Sequence, residues 1–386
     1  MRHRSARGRI PVLATTVLAT TGLATTVLAT TGLVTTVPAA ASPARTRGSL
    51  SVAQLAGQRV IYSYTGLNPP ASLLSLIEHG EAAGVIFSGD NIVSKPQIAA
   101  VIRRLEAADA YPGNPVRAPL LLMTDQEGGE VRRLPGPPYL SEKQIGESAD
   151  PGAAASTAAT RGGSSLRSVG LNVNLAPVLD VYRTPGDFDD QDQRSYSMNS
   201  RVVAALGADF ISAQQRAGVA ATAKHFPGLG AATKSQDTDV RAVTLHVPLA
   251  RLRSVDEFPY RVAIAAGVKL VMVSWAVYPA VGSHRPAGLS GNVIQGELRG
   301  RLGFRGVTIT DTLEAGALRR FGSYQHRAWL AAGAGMDLIL CADGNPAEGQ
   351  DAQRGMETGY RNGTLPRAAS QAAVARIDAL RASLAG

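Results

Sequence analysis

The chain has 386 residues, is 45% hydrophobic and carries a formal net charge of +9 with one cysteine. That length and apolar content allow a large core, and a lone Cys341 excludes an intramolecular disulfide, so packing must carry stability. Arg2, Arg4, Arg7 and Arg9 account for part of the charge, leaving +5 beyond residue 41, and no basic run with interleaved aromatics argues for nucleic acid.

The four arginines precede an uncharged stretch from Pro11 to Val37 that ends in Pro38-Ala39-Ala40-Ala41-Ser42. This is the pattern of a signal peptide over 1–41 with an A-x-A-type cleavage site, which predicts a secreted protein. Near-repeats around Val17-Leu18-Ala19 and Val27-Leu28-Ala29 lengthen the stretch, so a retained membrane anchor is the competing reading; its threonines and glycines weaken a spanning helix. No cysteine follows the apolar stretch, which argues against a lipid-modified N-terminus. A Ser/Pro/Arg linker occupies 42–49, and a single catalytic domain is expected over 50–386.

Within it, apolar runs recur at Val60–Ser63, Gly84–Phe87, Leu120–Met123, Val173–Ala176, Val219–Thr222, Leu270–Val273, Val307–Thr310 and Leu338–Cys341. Segments of helical spacing lie between them, including Pro96–Ala108, Arg201–Ala217, Val255–Ala266 and His326–Ala334, and Leu365–Leu384 supplies a last helix. Continuously apolar strands alternating with helices indicate a parallel sheet covered on both faces. Eight such units over this length predict an α/β protein with a (β/α)8 TIM barrel, and no dinucleotide-binding glycine pattern follows the first strand.

Several runs stop at a polar residue: Thr124-Asp125, Leu179-Asp180, Lys224-His225 and Thr310-Asp311. In a barrel those ends form the active face, and a charge there is costly unless paired or used. Helix capping accounts for one such residue, Asp180, as well as function does; it accounts poorly for all of them together. The acidic stretch Asp187–Asp192 lacks the glycine and terminal glutamate of a calcium loop and reads as a solvated loop. Trp275 and Tyr278, after the sixth strand, suit a sugar-stacking platform or the core equally. The histidines show no metal-ligand spacing, so neither metal nor cofactor is expected.

At these strand ends the sequence resembles glycoside hydrolase family 3, in its β-N-acetylhexosaminidase branch. The resemblance rests on Asp125-Gln126-Glu127-Gly128-Gly129-Glu130-Val131-Arg132-Arg133, Asn174 through Asp180, Arg194-Ser195-Tyr196, Lys224-His225-Phe226-Pro227-Gly228 and Gly306 through Asp311. It implies that Asp125, Arg133, Arg194, Lys224 and His225 hold the hydroxyls of a non-reducing-end sugar, and that Asp311 attacks the anomeric carbon. The function implied is a secreted retaining exo-β-glycosidase acting on a carbohydrate substrate, expected as a monomer with at most loose attachment to an anionic cell wall.

The loop after Gly228 departs from the branch. Leu229 stands where a histidine is usual, and no histidine lies between His225 and His246, so the branch's histidine acid/base is missing. In an ungapped count Asp237 takes its place, with Asp239 as the neighbouring carboxylate; a solvated loop without catalytic duty is the alternative for Asp237. Two further readings follow: a sugar-binding pseudoenzyme that has lost its general acid, or a phosphorylase or transglycosylase on the same site.

Overall fold

The computed structural model describes residues 50–384, so the expected leader and linker lie outside them. Eight strands, β1 (Val60–Tyr62), β2 (Gly84–Ile86), β3 (Leu121–Thr124), β4 (Val173–Asn174), β5 (Ala220–Phe226), β6 (Leu270–Val273), β7 (Val307–Thr312) and β8 (Leu338–Leu340), form a closed parallel barrel. Closure comes from β8 returning to β1, with Val60 opposite Ile339. The fold is the (β/α)8 barrel that the alternation predicted.

The strands read as unbroken apolar runs because both of their faces are buried. Ile61, Leu121, Met123, Leu270, Ile309 and Leu338 fill the lumen. Their neighbours Val60, Tyr62, Val85, Leu122 and Val271 pack outward against the helices. The last helix, Arg367–Ala382, adds Ile377 and Leu380 to the lumen cluster. Just before β8, the buried Asp337 is held by Arg299 at 2.6 Å and Arg376 at 2.7 Å. Charge at the strand starts is thus spent on structure, as is usual at that face of a barrel.

Helices appear at Lys95–Asp109, Ser200–Arg216 and Tyr324–Ala334, close to their predicted bounds. Ser94 and Ser323 cap two of them, accepting the backbone N–H of Gln97 and His326. The segment predicted as one helix at 255–266 is divided into a π-type turn, Leu252–Asp256, and a helix, Phe258–Ala265. Pro259 explains the break: it has no N–H to give to the preceding turn but suits the first turn of a new helix.

One reading of side chains needs correction, and one left open is decided. Asp189 and Asp190, expected in a solvated loop, are buried in the short helix Phe188–Gln191. For Asp190 the cause is Lys143, 2.6 Å away on another element and invisible to local sequence. Trp275 is wholly buried, with its indole N–H donating to the Thr312 carbonyl at 2.7 Å, and so belongs to the core. Among the described residues no helix is long and apolar enough to cross a membrane.

Candidate active site

The mouth of the barrel is built first by β3 and β5. Beyond Thr124 the chain enters a small hairpin, Gln126–Gly128 with Val131–Arg132. Side chains alternate along an extended backbone, so Asp125 and Glu127 share one side and Gln126 takes the other. The Gln126 amide donates to the carbonyls of Leu134 and Pro137, each at 2.9 Å, which pins the hairpin. Gly128 adopts φ 128°, and a Cβ there would lie 2.2 Å from the Leu140 carbonyl oxygen, so no larger residue fits.

From β5, the Lys224 ammonium reaches Asp125 and Glu127, both at 2.7 Å. Arg194 grips the same Glu127 with two N–H groups, each at 2.9 Å. Burial alone would raise the Glu127 pKa, but Arg194 and Lys224 outweigh it and bring it down to about 2. Lys224 is likewise raised, since its two carboxylates overcome the penalty of burial. The four groups form a chain of alternating charge that presents carboxylate acceptors beside cationic donors, a surface suited to hydroxyl groups.

Next to Lys224, across a cis peptide bond, the His225 Nδ1 lies 2.7 Å from an Asp180 oxygen. The other Asp180 oxygen accepts the Leu229 N–H at 2.6 Å, so the leucine that replaces the branch's histidine still closes the loop through its backbone. Burial, the largest influence on both partners, raises Asp180 to about 7 and lowers His225 to about 4. Donor atoms of Asp180, Asp189 and His225 lie within 4.8 Å of one another, the grouping among the described residues with the spacing to hold a metal ion. The Asp189 carboxyl takes no hydrogen bond, and burial raises it to about 7, so it leans toward the neutral acid.

Above this layer opens a cavity of about 590 Å³, lined by Asp125, Arg133, Arg194, Lys224, His225, Asp239 and Asp311 among others. All five residues expected to hold sugar, and the expected nucleophile, therefore face one space. Asp311, at the end of β7, accepts the Thr312 N–H at 2.8 Å. Burial and then the negative charge of Asp239 raise it to about 6, against the pull of His225 and Lys224.

The two loop aspartates separate. Asp239 lines the cavity, whereas Asp237 lies outside its lining and accepts the Asp239 N–H at 2.8 Å, shaping the turn. Asp239 keeps solvent contact at the rim, yet its carboxyl is raised, first by loss of water and then by repulsion from Asp237. The loop is seated on the segment after β7: Gly316 N–H donates to the Asp239 carbonyl at 2.7 Å, and Ala317 N–H to that of Thr238 at 3.0 Å. A Cβ on Gly316 would sit 2.2 Å from the Val240 carbonyl oxygen, so glycine permits this approach.

Sequence reasoning missed Glu127 as the bridge between the two cations, although its place two residues after Asp125 on an extended segment was a usable signal. It also missed Glu314, which lines the cavity, bonds the Thr312 hydroxyl and accepts the Ala342 N–H at 3.1 Å.

The glycosyl hydrolase family 3 N-terminal domain model matches residues 49–380. A secreted glycosyl hydrolase of Arthroderma benhamiae, itself uncharacterized, is 43% identical over 348 residues, 90% of this chain and 97% of its own. A β-hexosaminidase of Stenotrophomonas maltophilia is 34% identical over 271 residues, covering 68% of this chain and 77% of that one. The structure of a family 3 β-N-acetylglucosaminidase from Paenibacillus sp. str. FPU-7 superposes with a TM-score of 0.82 at 35% identity. That match covers 87% of this chain and 63% of the Paenibacillus chain, so the present chain spans less than two thirds of that enzyme. With the family match over most of its length, and the barrel to go with it, the chain belongs to glycosyl hydrolase family 3.

Proposed function

We propose that the protein is a secreted, retaining exo-β-glycosidase of the β-N-acetylhexosaminidase kind, with Asp311 as nucleophile and Asp239 as general acid/base. The observation that carries this reading is the pairing of Asp311 with Asp239: both line one cavity, and repulsion between their charges makes the pair give up its two protons in separate steps. Relatives named β-hexosaminidase supply the substrate class.

In the first step the Asp311 carboxylate attacks the anomeric carbon, the glycosidic C–O bond breaks, and the departing oxygen takes the proton of Asp239. In the second, ionised Asp239 removes a proton from water, whose oxygen displaces Asp311 from the anomeric carbon. Asp237 acts through Asp239: it fixes the turn and keeps the acid protonated by like-charge repulsion. Asp125, Arg133, Arg194, Lys224 and His225 hold the sugar's hydroxyls. Asp311 works ionised and Asp239 protonated, and carboxyls in such proximity divide those roles.

The test is to trap the glycosyl-enzyme with a fluorinated N-acetylglucosaminyl fluoride and map it by peptide mass. The reading expects the label on Asp311. Turnover with the label on another residue overturns the assignment.

A further inference from the structure

Beyond the main cavity lies a second one, of about 360 Å³, over the ends of β1, β2 and β8. The two share Ile86, Asp125, Arg133, Ala342 and Asp343 in their walls, so open space continues past the residues proposed to hold the terminal sugar. A site for an unsubstituted terminal sugar would be closed at that point. We propose that this space is a second sugar subsite, and that the enzyme releases a β-linked disaccharide of N-acetylhexosamine from the non-reducing end. This rests on the glycosidase reading above and sharpens its substrate.

The direction follows from the acid. Asp239 must stand beside the departing oxygen, so the aglycone lies on its side of the main cavity. The second cavity is lined by neither Asp239, Asp311 nor Lys224. Whatever fills it is joined to the sugar being removed.

Its chemistry follows from the walls. Ser88, Asp90 and Asp343 face Arg133 around the space, and Asp90, Asp343 and the Arg133 guanidinium form no ion pair or hydrogen bond among the described residues. Carboxylates outnumber the guanidinium, which repels a phosphate or an acidic sugar, while carboxylate acceptors and one cationic donor suit a neutral polyol. The walls are also preorganised. Asn91 donates to the carbonyls of Tyr64 and Gly66 at 2.9 and 2.7 Å, and the Thr65 hydroxyl donates to the Gly344 carbonyl at 3.0 Å. Ser63 accepts the Gly344 N–H at 2.9 Å, tying the β1 and β8 loops together. Such a cavity binds without the cost of ordering its own walls.

The experiment compares 4-nitrophenyl β-N-acetylglucosaminide with 4-nitrophenyl β-N,N′-diacetylchitobioside on the full-length protein, with products identified by mass. The expected result is intact disaccharide released with the nitrophenol, at a kcat/KM about tenfold above that of the monosaccharide. D90A and the space-filling S88W should remove that advantage and leave monosaccharide turnover within about twofold. Monosaccharide turnover without disaccharide release, or an advantage that survives both variants, overturns the subsite. Calorimetric titration of D311N with the free mono- and disaccharide decides the matter even where neither substrate turns over. Tighter disaccharide binding that D90A removes supports the subsite, and equal binding overturns it. Absent turnover alone counts against the glycosidase reading.

Discussion

The floor of the barrel mouth and the loop that overhangs it are built on opposite principles. On the floor, Lys224, Glu127 and Asp125 stand on or beside strands, Arg194 follows the short helix Phe188–Gln191, and the four are locked into mutual ion pairs of 2.7–2.9 Å. On the loop, Asp237 and Asp239 are held by backbone hydrogen bonds, and their charges repel instead of cancelling. The floor spends electrostatics on geometry, while the loop and Asp311 spend it on raised pKa values. A grip needs fixed charge; a proton donor needs a charge that is costly to form.

This contrast can be broken at its strongest point by D311N, which should lower kcat/KM by more than about 10³-fold on every substrate. Its melting temperature should not fall. The folded-state pKa of Asp311 is about 6, above its ordinary value of 3.8, so ionisation is disfavoured in the fold and opposes stability increasingly above pH 4. Calorimetry at pH 7 checks it, and a marked loss of melting temperature would move Asp311 to the structural floor.

Replacing a floor charge should do the reverse. E127A leaves Arg194 and part of Lys224 uncompensated in a buried place, with an expected cost of about 3–5 kcal/mol in chemical denaturation. The wild-type stability that Glu127 contributes should be present above its ordinary pKa of 4.5 and fade as pH falls toward about 2. An unchanged acid limb of stability would contradict the pairing.

A smaller effect concerns pH and rate. With an aryl glycoside, whose leaving group needs little protonation, kcat/KM should rise with pH through about 6 as Asp311 ionises. D239N puts a permanently neutral amide where the protonated acid stood, so that rising limb should stay in place. A limb that moves to lower pH would mean that Asp239 is already ionised when Asp311 loses its proton, against its role as the acid. Smallest of all, D237N should lower turnover of poor leaving groups only a few-fold, about 1 kcal/mol in barrier, because it acts through Asp239.

How far the sequence reaches follows the same division. All eight strands were readable because burial on both faces makes them continuously apolar, and Asp125 and Lys224 on the floor were readable because charges at the ends of such runs stand out, whereas Glu127, inside the hairpin that follows, was missed. The loop was harder to read. An ungapped count favours Asp237, yet the cavity receives Asp239, since the Asp237 carboxylate folds back onto the Asp239 N–H and two backbone bonds from 316–317 set the loop's height. Hydrogen bonds between segments some 77 residues apart leave no local pattern, and the same holds for Lys143 and Asp190, 47 apart. The division of the helix at Pro259 was legible in principle, since proline marks the first turn of a helix.

The most direct test of the loop's proposed role is the leaving-group dependence of D239A, with and without azide. If Asp239 is the acid/base, kcat/KM should fall about 10²–10⁴-fold for a poor leaving group such as an alkyl glycoside and change little for a nitrophenyl one. Azide should then speed turnover of the nitrophenyl substrate by attacking the glycosyl-enzyme without a general base, yielding a β-glycosyl azide. Equal losses on both substrates with no azide product, or the same pattern produced by D237A instead, would contradict the assignment.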